Sequence, residues 1–125
     1  MDLMLKGKTV LVTAASRGLG YATARVLAQE GANIALCARN VTALKEAARQ
    51  LARETGAAVL PVVADMTQEV DIQRLVAETV RQFQRIDALF INAGGPAPGH
   101  FLDLSLEQWD AGIQLTIQSS IRLAY

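Results

Sequence analysis

Short apolar runs without polar alternation recur along the chain, and each one leads into a segment whose apolar residues have helical spacing. The four runs lie at residues 9–13, 34–38, 59–63 and 88–91. Such strands are typical of parallel sheets buried on both faces, and the helices between them favour right-handed crossovers. The pattern therefore predicts an α/β fold with a parallel sheet. A flavodoxin-like domain or part of a barrel has the same alternation, so the pattern leaves the function open.

The helical segments carry their own boundary signals. In the first helix, the apolar residues spaced for one face are Leu19, Ala22, Val26 and Leu27. We expect this face to pack on the sheet, and we expect Gly31 to end the helix. Thr67 is a predicted cap of the third helix. Ser105 and Gln108 have the spacing of a capping box at the start of the last helix.

The composition argues against several classes of partner. A length of 125 residues fits one domain, or half of a two-halved dinucleotide enzyme. Twelve basic residues balance twelve acidic ones, so no overall field favours nucleic acid or an anionic membrane surface. Cys37 is the single cysteine, so neither an internal disulfide nor a metal site is expected. Because no run approaches a membrane span and no signal peptide is evident, a soluble, cytoplasmic protein is predicted.

A loop of small residues, 13–20, joins the first predicted strand to the first predicted helix. At such a junction the free backbone N–H groups and the helix dipole favour a phosphate group, which small residues allow to come close. Tight strand-to-helix turns also use glycine for purely steric reasons, so glycine alone is weak support. The surrounding strand, helix and second strand favour phosphate binding.

Three motifs occur in order on the expected elements. Loop 13–20 resembles the T-G-x-x-x-G-x-G loop of the short-chain dehydrogenase/reductase family, Asp65 stands at that family's acidic position after the third strand, and residues 92–94 resemble the end of its N-N-A-G motif. The resemblance covers the whole chain, and residues 16–20 and 92–96 are most similar to 3-oxoacyl acyl-carrier-protein reductase-type members. It implies a partial Rossmann-type, doubly wound parallel sheet of four strands in the order 3-2-1-4.

Two positions depart from these motifs. Ala14 stands where the loop has its first glycine, and we expect it to keep a negative φ with its methyl group turned away from the phosphate. Ile91 replaces the first asparagine of N-N-A-G, which removes a polar contact and leaves the strand apolar. Binding is therefore expected to survive at Ala14, and the second motif is weakened at Ile91 but not lost.

The resemblance implies a set of cofactor-binding residues. The set is Thr13, Ala14, Ala15, Ser16, Arg17, Gly18, Leu19, Gly20, Arg39, Asp65, Met66, Asn92, Ala93 and Gly94. By this resemblance, Ser16 and Arg17 face the adenosine-side phosphates. The backbone of Leu19 approaches the pyrophosphate at the start of the helix, where Gly18 and Gly20 allow close contact.

The same resemblance places the other end of the cofactor. Asp65 accepts a hydrogen bond from the adenine amino group while the main chain of Met66 meets the ring. Asn92 ties the fourth strand to the neighbouring loops. Each polar residue also has a structural interpretation, since Asp65 could cap the following helix and Asn92 could simply form a turn.

The catalytic residues of the family have no counterpart in this chain. The family's serine, and its tyrosine and lysine separated by three residues, follow the last helix seen here, so no catalytic residue is assigned. Counting from Trp109, Thr116 falls at the family's asparagine position, where a hydroxyl could join a proton relay or simply be a polar residue at the core edge. Residues 1–125 are therefore interpreted as an NADP(H)-binding half-domain, truncated before the catalytic segment and inactive alone.

The choice of cofactor rests on the end of the second strand. An acid about 20 residues beyond the glycine loop usually binds the ribose hydroxyls of NAD and repels a 2′-phosphate. Ala38 occupies that position, Arg39 follows it, and Arg17 is expected to project toward the same region. The two cations predict NADP(H). The alternative interpretation is that both arginines are surface residues that bind no ligand.

The sequence thus predicts an oxidoreductase that transfers hydride between NADP(H) and a small carbonyl or alcohol substrate, including a 3-oxoacyl thioester as a candidate. By resemblance the intact protein is a homo-oligomer, with no nucleic acid, membrane or metal partner. The alternative is a catalytically inert nucleotide-binding or interaction module. A methyltransferase is less favoured, because those domains place an acid where this chain has Ala38 and Arg39.

Overall fold

The computed structural model describes residues 2–92 and 99–124. The strands are β1 Thr9–Val12, β2 Asn33–Ala38, β3 Val59–Val63 and β4 Ala88–Phe90. The helices are α1 Gly18–Gln29, α2 Val41–Thr55, α3 Glu69–Phe83, α4 Leu106–Ile113 and α5 Ser119–Ala124, with a 3₁₀ turn at Phe101–Asp103 and a π-helical turn at Gln114–Gln118. Within the described residues, no helix is long and apolar enough to cross a membrane.

The strands form one parallel sheet in the order β3-β2-β1-β4, which confirms the predicted fold. Val10 and Val12 of β1 pack on the face covered by α1 and α2, whereas Leu11 packs on the face covered by α3. Successive side chains of a strand point to opposite faces. Because helices cover both faces of the central strands β1 and β2, these strands are almost entirely apolar, and this explains the missing polar alternation.

The predicted inner face of α1 is largely wrong. Leu19 and Val26 are exposed, and the buried residues of the helix are Gly20, Ala24 and Ala28. These small residues recur every four positions, so they form a narrow stripe that lets the helix approach the sheet closely. The helical spacing of large apolar side chains therefore predicted the wrong face of α1 as the buried one.

Of the two predicted helix caps, one is confirmed and one is wrong. The predicted capping box is present, since Ser105 Oγ accepts from the Gln108 N–H at 3.1 Å and Gln108 Oε1 accepts from the Ser105 N–H at 2.8 Å. The predicted cap by Thr67 is wrong. Gln68 precedes α3 and caps it with no side-chain hydrogen bond, while the Thr67 hydroxyl donates to Asp65 Oδ1 instead.

Candidate functional site

A cleft of about 490 Å³ opens at the edge of the sheet where the strands end and their following loops begin. The residues that line it are Ala14, Ser16, Arg17, Gly18, Cys37, Ala38, Arg39, Asn40, Ala43, Ala64, Asp65, Met66, Asn92 and Leu115. Open α/β sheets bind ligands at this edge, where parallel strands bring their carboxyl ends together. The cleft therefore lies where a dinucleotide is expected.

Some predicted residues support the cleft without lining it. Thr13 and Ala15 are fully buried beneath the loop, and Gly20 is buried in the first turn of α1. Leu19 is exposed on the same turn. Ala93 and Gly94 lie outside the described residues.

The loop between β1 and α1 depends on glycine at two positions for different reasons. Gly18 has φ 62°, a left-handed conformation that side chains disfavour, although a Cβ added there would meet no described atom within 4 Å. A Cβ at Gly20 would overlap the carbonyl oxygen of Ala14 and lie 3.0 Å from the Ala15 Cα, so only glycine fits. Arg17, the N-cap residue that precedes α1, makes no side-chain cap. An arginine side chain has no hydrogen-bond acceptor, so the first amides of α1 receive no cap from it and could donate to an anion.

The expectation that Ala14 keeps a negative φ is wrong, because its φ is 49°. The turn is fixed on both sides: the Ala15 N–H donates to the Cys37 carbonyl at 3.0 Å, and Gly20 packs against the Ala14 carbonyl. A left-handed alanine costs about 1–2 kcal/mol relative to its relaxed conformation. The loop thus keeps the backbone path that glycine would favour, with a methyl group added to the cleft wall.

A two-way hydrogen bond joins β1 to the end of β4. Thr13 Oγ1 donates to the Asn92 carbonyl at 2.6 Å and accepts from the Asn92 N–H at 2.8 Å. The Asn92 side-chain amide lies 3.5 Å from the Ala14 carbonyl, at the limit of a hydrogen bond. Asn92 therefore connects the end of β4 to loop 13–20.

Asp65 is held in one orientation by its neighbour. Its Oδ1 accepts from the Thr67 hydroxyl at 2.6 Å and from the Thr67 N–H at 2.9 Å. The Thr67 hydroxyl is the main cause that lowers the pKa of Asp65, and the nearby Arg39 charge lowers it further. Asp65 is therefore an ionised acceptor at neutral pH, and it is the one carboxylate among the described residues that line the cleft.

Arg17 and Arg39 supply the positive charge of the cleft. Both are exposed and both line it. Among the ion pairs of residues 2–92 and 99–124, none includes either side chain. Ala38, which closes β2 between them, offers no carboxylate. Two cations that form no ion pair within the described residues can bind an anionic group beside loop 13–20.

Sequence reasoning missed part of the cleft wall. Cys37 and Ala64 stand at strand ends, so their position could have been predicted from the strand assignments. Leu115 had no such signal, because it comes from the π-helical turn far along the chain. Burial raises the pKa of the Cys37 thiol to about 12, so it lines the cleft as an apolar group.

Two further sequence predictions concern catalysis and metals. Thr116 lies in the π-helical turn, but its side chain is outside the described part of the structure. In the described ranges, no cluster of three or more histidine, cysteine, aspartate or glutamate side chains could hold a metal ion.

Comparison with known proteins identifies the family. Residues 8–125 match the short chain dehydrogenase family. Glucose 1-dehydrogenase of Gluconobacter oxydans is 36% identical over 111 residues, which are 89% of this chain and 42% of that protein. NADP-dependent mannitol dehydrogenase of Hypocrea jecorina is 37% identical over 125 residues, which are 96% of this chain and 47% of that protein.

Solved structures of oxidoreductases have the same fold over this chain. L-Sorbose reductase of Gluconobacter frateurii, complexed with NADPH and L-sorbose, superposes with a TM-score of 0.95 at 35% identity, over 99% of this chain and 47% of that one. The chain spans about half the length of the relatives it matches. The family match covers nearly all of its residues, and the chain therefore belongs to the short chain dehydrogenase family.

Proposed function

We propose that the chain is the NADP(H)-binding part of a cytoplasmic oxidoreductase that transfers hydride between NADP(H) and a carbonyl or alcohol substrate. The observation that carries the proposal is the cleft, which combines a phosphate loop, two cations without ion-pair partners in the described residues and one ionised carboxylate. NADP(H), when bound, supplies or accepts the hydride. The residues of this chain bind and orient it.

The lining fits the different parts of a dinucleotide phosphate. The first turn of α1 and the close approach at Gly20 suit the pyrophosphate. Arg17 and Arg39 suit the 2′-phosphate, since guanidinium groups bind phosphates through paired hydrogen bonds. Asp65 offers an acceptor to the adenine amino group next to the apolar Met66.

The preference between dinucleotides gives the test. If each charge-assisted contact contributes about 1.5–3 kcal/mol, two arginines favour NADPH over NADH by about a hundredfold or more. The ratio of the two dissociation constants, measured by titration calorimetry on the chain or on a longer protein that carries it, checks this. Equal affinity or a preference for NADH refutes the proposed cofactor.

Variants separate the two arginines from general surface charge. Ala38→Asp combined with Arg39→Gln should reverse much of the NADPH preference, because it adds repulsion and removes attraction. Arg81→Gln is the matched control: Arg81 is exposed on α3 and does not line the cleft. The control should leave the ratio unchanged.

The class of substrate is a separate part of the proposal. The 3-oxoacyl thioester suggested by the sequence competes with a polyol or a ketose, which the named mannitol dehydrogenase and sorbose reductase favour. A panel of these substrates, offered with NADPH or NADP⁺ to a longer protein carrying this chain, discriminates between them. Turnover of none of them would favour the alternative of a catalytically inert nucleotide-binding module.

We propose that residues 1–125 alone do not turn over substrate. Tyr21 and Tyr125 are the tyrosines of residues 1–125, and within this segment neither is followed four positions later by a lysine. Without a positioned acid to protonate the developing alkoxide, a factor of about 10²–10⁴ in rate is lost. NADPH-dependent carbonyl reduction by the purified chain, with longer enzyme excluded, would contradict this.

We also propose that the intact protein is a homo-oligomer. Trp109, Ile113 and Ile117 follow one another at four-residue spacing along the last helical segment, and each is exposed. An apolar stripe of this kind favours a protein interface. Sedimentation velocity of a longer protein tests it, and a monomer at micromolar concentration would refute it.

A further inference from the structure

A chain of contacts links α3 to the loop that carries Asp65. Asp71, in the first turn of α3, accepts a hydrogen bond from the Asp65 N–H at 2.8 Å through Oδ2. Its Oδ1 lies 3.4 Å from Arg74 Nη2. The Arg74 guanidinium also donates to the carbonyl of Val63, the last residue of β3, at 2.5 Å. The two side chains therefore fasten both ends of the segment between β3 and Asp65.

These contacts differ from ordinary helix capping. A capping residue would bond to the first amides of its own helix, but Asp71 reaches six residues back to an amide outside α3. Gln68, which precedes α3, makes no side-chain cap. The geometry of Asp71 thus serves the loop more directly than it serves the helix.

The position of Asp65 decides which of its atoms are available. Oδ1 is occupied by both Thr67 donors, whereas Oδ2 accepts no hydrogen bond from the described residues. A single available carboxylate oxygen beside Ala64 and Met66 could accept one N–H from a flat ring. It repels a carbonyl oxygen at the same place.

We infer that Asp71 and Arg74 are positioning residues that hold Asp65 so that the cleft selects a 6-amino purine over a 6-oxo purine. This inference rests on the proposed function, because it concerns the adenine end of the same dinucleotide site. Neither side chain lines the cleft. They act through the backbone of the loop.

The experiment compares two dinucleotides that differ only at this position of the base. NADPH carries the 6-amino group, and reduced nicotinamide hypoxanthine dinucleotide phosphate carries a carbonyl there. We expect the unmodified protein to bind NADPH about tenfold more tightly. Asp71→Ala should weaken NADPH binding by about tenfold and change hypoxanthine dinucleotide binding by less than about twofold. Arg74→Gln should weaken NADPH binding about threefold, since Asp71 still holds the Asp65 amide.

Two further variants serve as a control and as a conservative replacement. Glu46→Gln removes the Arg49–Glu46 pair, which has the same three-residue spacing on exposed α2, and should leave both affinities unchanged. Asp71→Asn keeps an acceptor oxygen for the Asp65 amide and should retain most of the selectivity, which provides a test if the alanine variant does not fold.

The outcomes separate this inference from the proposed function. Equal weakening of both dinucleotides by Asp71→Ala, or weakening of neither, overturns the positioning role while leaving NADP(H) binding intact. An unmodified protein that does not bind NADPH refutes the proposed function. If it binds both dinucleotides equally, the adenine role of Asp65 and this inference fail together.

Discussion

Two threonines, one that begins β1 and one that follows it, should respond oppositely to the same substitution. Thr9 and Thr13 are both fully buried. The Thr13 hydroxyl makes the two-way hydrogen bond with Asn92, whereas the Thr9 hydroxyl has no partner among the described residues. Valine has nearly the volume of threonine and suits a strand. Thr9→Val and Thr13→Val therefore isolate the value of one hydroxyl in each place.

The structure sets the size of each effect. Thr13→Val removes two hydrogen bonds and leaves the partly buried Asn92 N–H and carbonyl without this partner, so we expect a loss of about 2–3 kcal/mol in unfolding free energy. Thr9→Val removes a buried hydroxyl that is desolvated without compensation, so we expect a gain of about 1–2 kcal/mol. The two variants should thus differ by about 3–5 kcal/mol.

Urea denaturation followed by circular dichroism measures both, on the chain or on a longer protein that contains it. Thr79→Val is the matched control, because the buried Thr79 hydroxyl donates to the Leu75 carbonyl of its own helix at 2.7 Å. That carbonyl lies inside α3, so the change should stay within about 0.5 kcal/mol. The reasoning is refuted if Thr9→Val and Thr13→Val shift stability in the same direction, or if Thr9→Val destabilises by more than about 1 kcal/mol.

Three other changes test the loop and the amino end of β1. Ala14→Gly should stabilise the fold by about 0.5–1 kcal/mol in a thermal melt, because relief of the left-handed alanine exceeds the added entropy of the unfolded chain; a lower melting temperature would contradict this. Gly20→Ala places a Cβ against the Ala14 carbonyl oxygen, so it should destabilise by about 2–3 kcal/mol and weaken NADPH binding, and unchanged affinity would count against the loop. The Thr9 N–H and the Arg85 guanidinium hold the pKa of Asp87 below its ordinary value. Its stabilisation is therefore complete above about pH 4 and is lost as the pH falls through the lower folded-state pKa, so Asp87→Asn should flatten the acid side of the stability profile; an unchanged profile would exclude this role.

The sheet could be predicted because its cause is local in the sequence. Each strand is apolar on both faces, and this property is visible in a window of about five residues. The helix face that packs on the sheet was harder to predict from the sequence. In α1 the sequence offers two stripes, one with Leu19 and Val26 and one with Gly20, Ala24 and Ala28. Apolar volume favoured the first stripe, but the structure buries the second against the core.

Loop 13–20 shows a second limit of prediction from sequence. The motif predicted where the loop lies and which residues it contains, and the structure places Ser16, Arg17 and Gly18 at the cleft. It did not predict the conformation of Ala14, because the residue type favours negative φ. The left-handed turn is accompanied by contacts on both sides, from Gly20 within the loop and from Cys37 in β2. The loop sequence alone does not show the contact with Cys37.

The functional groups of the cleft could be predicted, but what orients them could not. Asp65 and Asn92 stand directly after strands, so a parallel topology alone brings them to one edge. Their orientation depends on the Thr67 hydroxyl for the first and on the Thr13 hydroxyl for the second. The first partner is two residues away, within reach of a local Asx-type turn, whereas the second is 79 residues away and no local pattern indicates it. A threonine that serves a site is therefore indistinguishable in sequence from Thr9, whose hydroxyl has no partner in the described structure, and only the packed chain tells them apart.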